Sequence, residues 1–187
     1  MRLTPAPVRR PGFSGPDPSR VKRGSMGHLR ASRDGRMDPV EPDEAIAADL
    51  RRRIADSPFH AGFGVTVEQA TKGEVHLRWH ARPEHRNLQG LVHGGVLATL
   101  VDIAMGLAVR SVVGPSRRHV TIDLTVHYLR PASPGPIEAV GTTLRVGSQI
   151  AFAEGGVADA SGRTLVRASG TYSVTAEPPS GSPTGAQ

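Results

Sequence analysis

The sequence predicts an α+β domain in which an antiparallel sheet wraps around one long central helix. Three observations point there. Residues 93–112 are apolar nearly all round, with Val96, Leu97, Leu100, Val101, Ala104, Leu107 and Ala108 among them, so a helix built from them has to be buried. Two strand-like runs precede this stretch and four follow it. The runs are joined by hairpin-length connections, which favour antiparallel pairing and leave a single helix for the sheet to cover.

The elements follow in order. Pro42-Asp43-Glu44 reads as a helix start, with proline in the first turn and acids near the positive end of the helix dipole. Ile46, Leu50 and Ile54 then recur on one helical face, Arg51-Arg52-Arg53 cross the solvent side, and Ser57-Pro58 stops the helix. Strands are expected over about 62–70 and 73–81, joined by Thr71-Lys72-Gly73; in the second, Val75, Leu77 and Trp79 alternate with polar residues. A polar loop covers 82–92. The central helix follows and ends at Gly114-Pro115. The last four strands are expected over about 119–130, 136–146, 149–159 and 164–175. In the first of them strict alternation puts Val120, Ile122, Leu124, Val126 and Tyr128 on one face.

Composition sets limits. The 187 residues suffice for one domain with a real core. Residues 1–37 carry a net charge of +7 and the remainder −1, giving the chain its +6. The body is therefore near neutral and offers no basic surface for nucleic acid. There are no cysteines, which excludes a disulfide scaffold, thiolate metal sites and a cysteine nucleophile, and suits a reducing cytoplasm. No metal-ligand clustering of the eight histidines is evident, and no cofactor is expected. No apolar run is expected to reach membrane-spanning length, and the N-terminus lacks the apolar core of a signal peptide. Residues 1–40, rich in Pro, Gly, Ser and Arg, read as a disordered basic tail, 41–175 as the folded domain, and 176–187 as a frayed end.

One stretch carries the chemistry. Asn87-Leu88-Gln89-Gly90-Leu91-Val92-His93-Gly94-Gly95 leads into Val96-Leu97-Ala98-Thr99-Leu100-Val101-Asp102. A glycine pair opening a helix can aim bare backbone N–H groups and the helix dipole at a developing negative charge. It also reads as a plain tight turn with close packing. Asp102 is a lone carboxylate among Val101, Ile103, Ala104 and Met105; desolvation makes such a placement expensive unless the acid works as base or nucleophile or satisfies a neighbour. Asn87 reads equally as a turn residue. His93 has no acid at local spacing to orient it as a base, so it is expected to shape the turn or contact substrate.

The frame Asn87-x5-His93-Gly94-Gly95-x6-Asp102 resembles the active-site segment of the hotdog-fold acyl-CoA thioesterases of the PaaI-like branch, within the 4HBT superfamily. The resemblance extends through Val120-Thr121-Ile122-Asp123-Leu124-Thr125-Val126-His127-Tyr128-Leu129-Arg130-Pro131-Ala132 and the hairpin carrying Arg145, Ser148 and Gln149-Ile150-Ala151-Phe152-Ala153-Glu154, and covers about residues 45–175. It implies hydrolysis of an acyl-CoA to free acid and CoA. The implied roles are a Gly94 N–H polarising the thioester carbonyl, Asp102 activating water or attacking directly, and Asn87 positioning water or substrate. Thr121 stands where relatives place an assisting hydroxyl. Gly95, Arg117, Arg118, Arg145 and Ser148 are the implied substrate-binding residues, the arginines toward the CoA phosphates. The alternatives are a hotdog hydratase or dehydratase, which resembles these enzymes but pairs His with an acid at other spacing, and a non-catalytic acyl-CoA-binding domain.

Helix arithmetic adds an expectation about assembly. Gly94 and Asp102 are eight residues apart on one helix, about 12 Å along its axis. A carbonyl about 3 Å from its N–H donor is then out of reach of the same helix's carboxylate. Two helices antiparallel about a twofold axis bring the Gly94 of one near the Asp102 of the other, as the resemblance also implies, so a homodimer or dimer of dimers is expected.

Overall fold

The computed structural model describes residues 41–176 together with two three-residue strands, β1 (Leu29–Ala31) and β2 (Met37–Pro39), which pair antiparallel with each other. The rest of the expected N-terminal tail, and the expected frayed end beyond Ala176, lie outside the described residues.

Helix α1 (Glu44–Asp56) starts where the Asp43 side chain accepts the N–H groups of Ala45 and Ile46. Asp43 is thus the cap, and Pro42 stands before the helix instead of in its first turn. Ala47, Leu50 and Ile54 form its buried face. Ser57 ends α1, but Pro58 opens a second short helix, α2 (Pro58–Phe63), closed by Gly64 at φ +77°. Proline is well placed at the first helical position, where no N–H is needed. For that reason the first main strand begins later than its apolar run suggests, as β3 (Thr66–Thr71), followed by β4 (Glu74–Ala81).

After a 3-10 turn at Pro83–His85 comes the central helix α3 (Gly94–Val113), then β5 (Arg117–Tyr128), β6 (Gly135–Val146), β7 (Ile150–Asp159) and β8 (Thr164–Ala176). The six strands form one antiparallel sheet in the order β3-β4-β6-β7-β8-β5. The sheet lies along α3, with α1 packed beside β3, which is the architecture read from the sequence. By length and composition α3 is apolar enough to cross a membrane, which corrects the expectation that no run reaches that size. Here its apolar surface has a protein partner. Leu97, Leu100, Val101, Ala104, Met105, Ala108 and Val109 are buried in the core with Val75, Leu77, Ile137, Val157 and Leu165. Each large aliphatic side chain so covered contributes about 1.5–3 kcal/mol.

Two glycines let the helix sit this close. Gly141 on β6 lies opposite Gly155 on β7. A Cβ on Gly141 would fall 2.2 Å from the Ala104 carbonyl oxygen, and one on Gly155 2.8 Å from the Met105 side chain. The backbone of α3 therefore rests directly on β6, within one turn of Asp102.

Strand β5 departs from strict alternation. Its register against β8 shifts between Thr121 and Asp123, so Ile122 is an extra residue in a bulge. The bulge resets the pleat. His119 and Thr121, paired with the inward Val174 and Tyr172, share the helix side with Leu124 and Val126, while Val120 and Ile122 are left 64% and 58% exposed. The single apolar face expected for β5 is thereby split in two.

Candidate active site

The loop before α3 is held by its own polar groups. The Asn87 N–H donates to the Leu91 carbonyl at 2.7 Å, and Asn87 Oδ1 accepts the N–H groups of Gln89 and Leu91 at 3.0 and 3.1 Å. Gly90, at φ +78°, supplies the left-handed turn inside this knot. The His93 N–H donates to the His85 carbonyl at 2.8 Å, and Val92 to Ala132. Asn87 is thus a turn residue through its oxygen, while its NH2 group has no partner among the described residues.

His93 caps α3, its Nδ1 accepting the Gly95 N–H at 3.0 Å. That assigns the imidazole to the turn and takes up the Gly95 donor. Gly94, the first helical residue, keeps an N–H with no partner among the described residues. Such a group is a strong donor, because it adds its own dipole to that of the helix. Its carbonyl accepts the Tyr128 hydroxyl at 3.0 Å, and a Cβ here would press 3.2 Å from the Tyr128 ring. The strand thus bears on the turn and fixes where this N–H points.

Two turns along, Asp102 is half-buried on the side of α3 facing β5. Its Oδ1 accepts hydrogen bonds from Thr121 Oγ1 at 3.1 Å and from the Tyr172 hydroxyl at 3.3 Å. Oδ2 has no partner among the described residues. Tyr172 is fully buried; burial first, and the Asp102 charge second, push its pKa far above the usual phenol range, so it stays a proton donor. The bulge at Ile122 is what turns Thr121 toward this carboxylate. His119, edge-on to Tyr172, lies one turn farther along α3. Burial, helped by the Arg110 cation, lowers its pKa to about 4, so it is neutral at physiological pH.

The structure places the two halves in separate clefts. Asp102 and Thr121 line a cleft of about 740 Å³ between α3, β5 and α1–α2, with Gly106 and His119 beside them. Asn87, His93 and Gly94 line a second cleft with Arg86, Leu88 and Gln89. Within one chain the donor and the carboxylate are not brought together.

Of the other expected residues, Arg118 lines the Asp102 cleft. Arg117 is tied by its guanidinium to the Ser148 carbonyl, and its own carbonyl accepts from Arg110 at 2.7 Å. Arg145 pairs with Phe152 on the face of the sheet away from α3. The sequence reading passed over Tyr172, Tyr128 and His119, and over Arg53 and Arg110 at the far end of the Asp102 cleft. A buried arginine two turns after Asp102 in an otherwise apolar helix was the one available signal.

Comparison with known proteins gives a consistent result. Residues 89–166 match the family model described as the thioesterase superfamily. A Halobacterium salinarum protein provisionally named an esterase is 43% identical over 63% of this chain and 80% of its own length. The medium/long-chain acyl-CoA thioesterase YigI of Escherichia coli is 29% identical over 63% of this chain and 85% of its own. Among solved structures, a variant of the phenylacetic acid degradation protein PaaI from Thermus thermophilus superposes with a TM-score of 0.57 at 28% identity, over 63% of this chain and 98% of that one.

Proposed function

The chain belongs to the thioesterase superfamily and is a thioester hydrolase of the hotdog fold, and from that premise we propose that it hydrolyses acyl-CoA thioesters to the free acid and CoA. The observation that carries the reading is the division of polar groups: among the described residues Gly94 has an N–H without a partner, and Asp102 has one oxygen held by two hydroxyls and the other unpartnered.

In this reading the thioester carbonyl oxygen sits on the Gly94 N–H, and the Asn87 NH2 group holds the attacking water or the substrate. Asp102 Oδ2 removes a proton from water as hydroxide adds to the carbonyl carbon. The negative charge that develops on oxygen is met by the helix N-terminus, and the C–S bond breaks to release CoA thiolate, which takes up a proton. In the second route Oδ2 itself adds, CoA leaves, and water cleaves the resulting anhydride. Trapping of a covalent acyl-Asp102 species on rapid quench marks the anhydride route, and a single turnover in H2(18)O that leaves 18O out of the product acid shows that water cleaves the anhydride at the Asp102 carboxyl carbon.

The separation of the two clefts within one chain supports a site shared between two. We propose a homodimer, or a dimer of such dimers, in which Asn87 and Gly94 of one protomer serve Asp102 of its partner. The edge of the sheet supports this: β5 is twelve residues long, has a strand on one side only among the described residues and exposes Val120, Ile122 and Tyr128, which leaves a pairing edge for a second copy. Arg117, Arg145 and Ser148, with Gly95, remain candidate contacts for the CoA moiety, and Arg118 is a contact within the cleft.

A panel of acyl-CoA thioesters with free-thiol detection tests the activity. The shared site is tested by unfolding Asn87→Ala and Asp102→Asn chains together in equal amounts and refolding them. Random pairing makes half the dimers mixed, each with one intact site, so activity returns to roughly a quarter of wild type. No recovery after verified exchange would refute the shared site.

A further inference from the structure

Gly106 is a helix-interior glycine whose missing Cβ the described residues do not explain. At Gly141 and Gly155 a side chain would collide with α3. At Gly106, in the interior of α3, an added Cβ meets nothing within 4 Å except His119 Nε2 at 3.4 Å, an ordinary contact. Its backbone is helical, so no special conformation calls for glycine either. Glycine in a helix interior is markedly worse than alanine. A residue that weakens the helix with no packing benefit points to something outside the chain that needs the space.

That space lies in the Asp102 cleft, one turn beyond the carboxylate. Ile103 and Leu107 flank Gly106 on α3, Phe59 lines the same cleft, and the neutral His119 covers it. Ile103, Leu107 and Phe59 give this part of the cleft an apolar wall, and His60, Arg53, Arg110 and Arg118 line the rest of it. Gly106 is about 6 Å along the helix from Asp102 and Arg110 about 12 Å. An extended chain advances about 1.2 Å per bond, since three bonds span roughly 3.5 Å. The fifth carbon or so of a linear acyl group held at Asp102 therefore reaches Gly106, and one of about ten carbons reaches the arginines at the far end. CoA phosphates, at the end of a pantetheine arm longer than these two turns, do not fit the same distance.

We propose that the acyl group of the substrate lies along α3 across Gly106, and that the absent side chain there sets the enzyme's preference for medium-length acyl groups over short ones. The proposal rests on the acyl-CoA thioesterase reading above and names the acyl class of that site.

The test compares wild type, Gly106→Ala and Gly106→Leu on butyryl-, hexanoyl-, octanoyl- and decanoyl-CoA. Binding of the non-hydrolysable thioethers S-butyl-CoA and S-octyl-CoA is measured by calorimetry alongside. The Gly106→Leu chain keeps kcat/KM for butyryl-CoA within about threefold and loses at least about tenfold for octanoyl-CoA, with a matching loss for the octyl thioether alone. Gly106→Ala shifts preference the same way by less and raises Tm or leaves it unchanged, so a misfolded leucine variant does not end the test. An equal loss at every chain length would make the cleft the pantetheine channel and overturn the proposal, as would unchanged preference in both variants. If wild type hydrolyses no thioester, the hydrolase reading fails, and the thioether affinities still decide the groove.

Discussion

The loop at the start of α3 and the pocket midway along it do opposite things with their polar groups. In the loop, Asn87, His85 and His93 bind partners no more than eight residues away, and what is left over are donors: the Gly94 N–H and the Asn87 NH2. In the pocket, Asp102 is bound from 19 and 70 residues away, and what is left over is an acceptor. A thioester hydrolase needs both kinds at one carbon. Each region is complete as structure and incomplete as chemistry, and the proposed twofold assembly would supply the missing half to each.

The comparison breaks most visibly at the acceptor. Asp102→Asn should lower kcat/KM by at least about 100-fold, the scale of a lost general base, with Tm little changed because the amide oxygen still accepts from Thr121 and Tyr172. Near-wild-type turnover would move the chemistry elsewhere. On the donor side, Asn87→Asp keeps the oxygen that ties the loop and removes the NH2. The expected result is an unchanged Tm with kcat/KM down roughly 100-fold, the lower end of the range for a lost transition-state donor. Were that variant fully active and Asn87→Ala not, Asn87 would be a turn residue alone.

Smaller effects test how the pocket is held. Tyr172→Phe leaves Thr121 on Oδ1, so kcat should fall by roughly tenfold at constant KM, as for a loosened but intact reacting group. A KM change without a kcat change would show that Tyr172 shapes the cleft instead. The smallest effect appears only in acid. His119 in the fold titrates near 4, against 6.5 when unfolded. Above 6.5 both states are neutral and stability is indifferent to this group. Between 6.5 and 4 only the unfolded chain takes up the proton, so stability falls by up to about 1.4 kcal/mol per pH unit. Over that interval the Tm of wild type should fall relative to that of His119→Gln as the pH approaches 4. Parallel curves would show that His119 is not the group responsible.

Legibility in the sequence followed the same division. Apolar periodicity located every strand of the main sheet and the central helix, and the Gly94-Gly95 to Asp102 frame was readable because a turn and the helix it opens are contiguous. The short helix α2 was missed because Pro58 reads first as a stop, although proline is also a good first residue. The alternation in β5 misled because a bulge leaves no mark in a run of apolar and polar residues, yet that bulge decides that Thr121, and not its neighbours, meets Asp102. Tyr172 could not have been found: it lies seventy residues on, in a strand where an inward tyrosine looks like ordinary core, and only the closing of the sheet gives its hydroxyl a carboxylate.

The contact of Gly141 and Gly155 with α3 also governs how this protein can vary over generations. With the helix backbone seated directly on the sheet, α3 can neither rise by the thickness of a methyl group nor slip by a turn without being lifted off its bed. The height of Asp102 above the sheet is therefore set by two positions that have no chemistry of their own. In a saturation library selected for activity, codons 141 and 155 should be about as intolerant as codon 102, while codon 106 should drift toward whatever acyl group the host supplies.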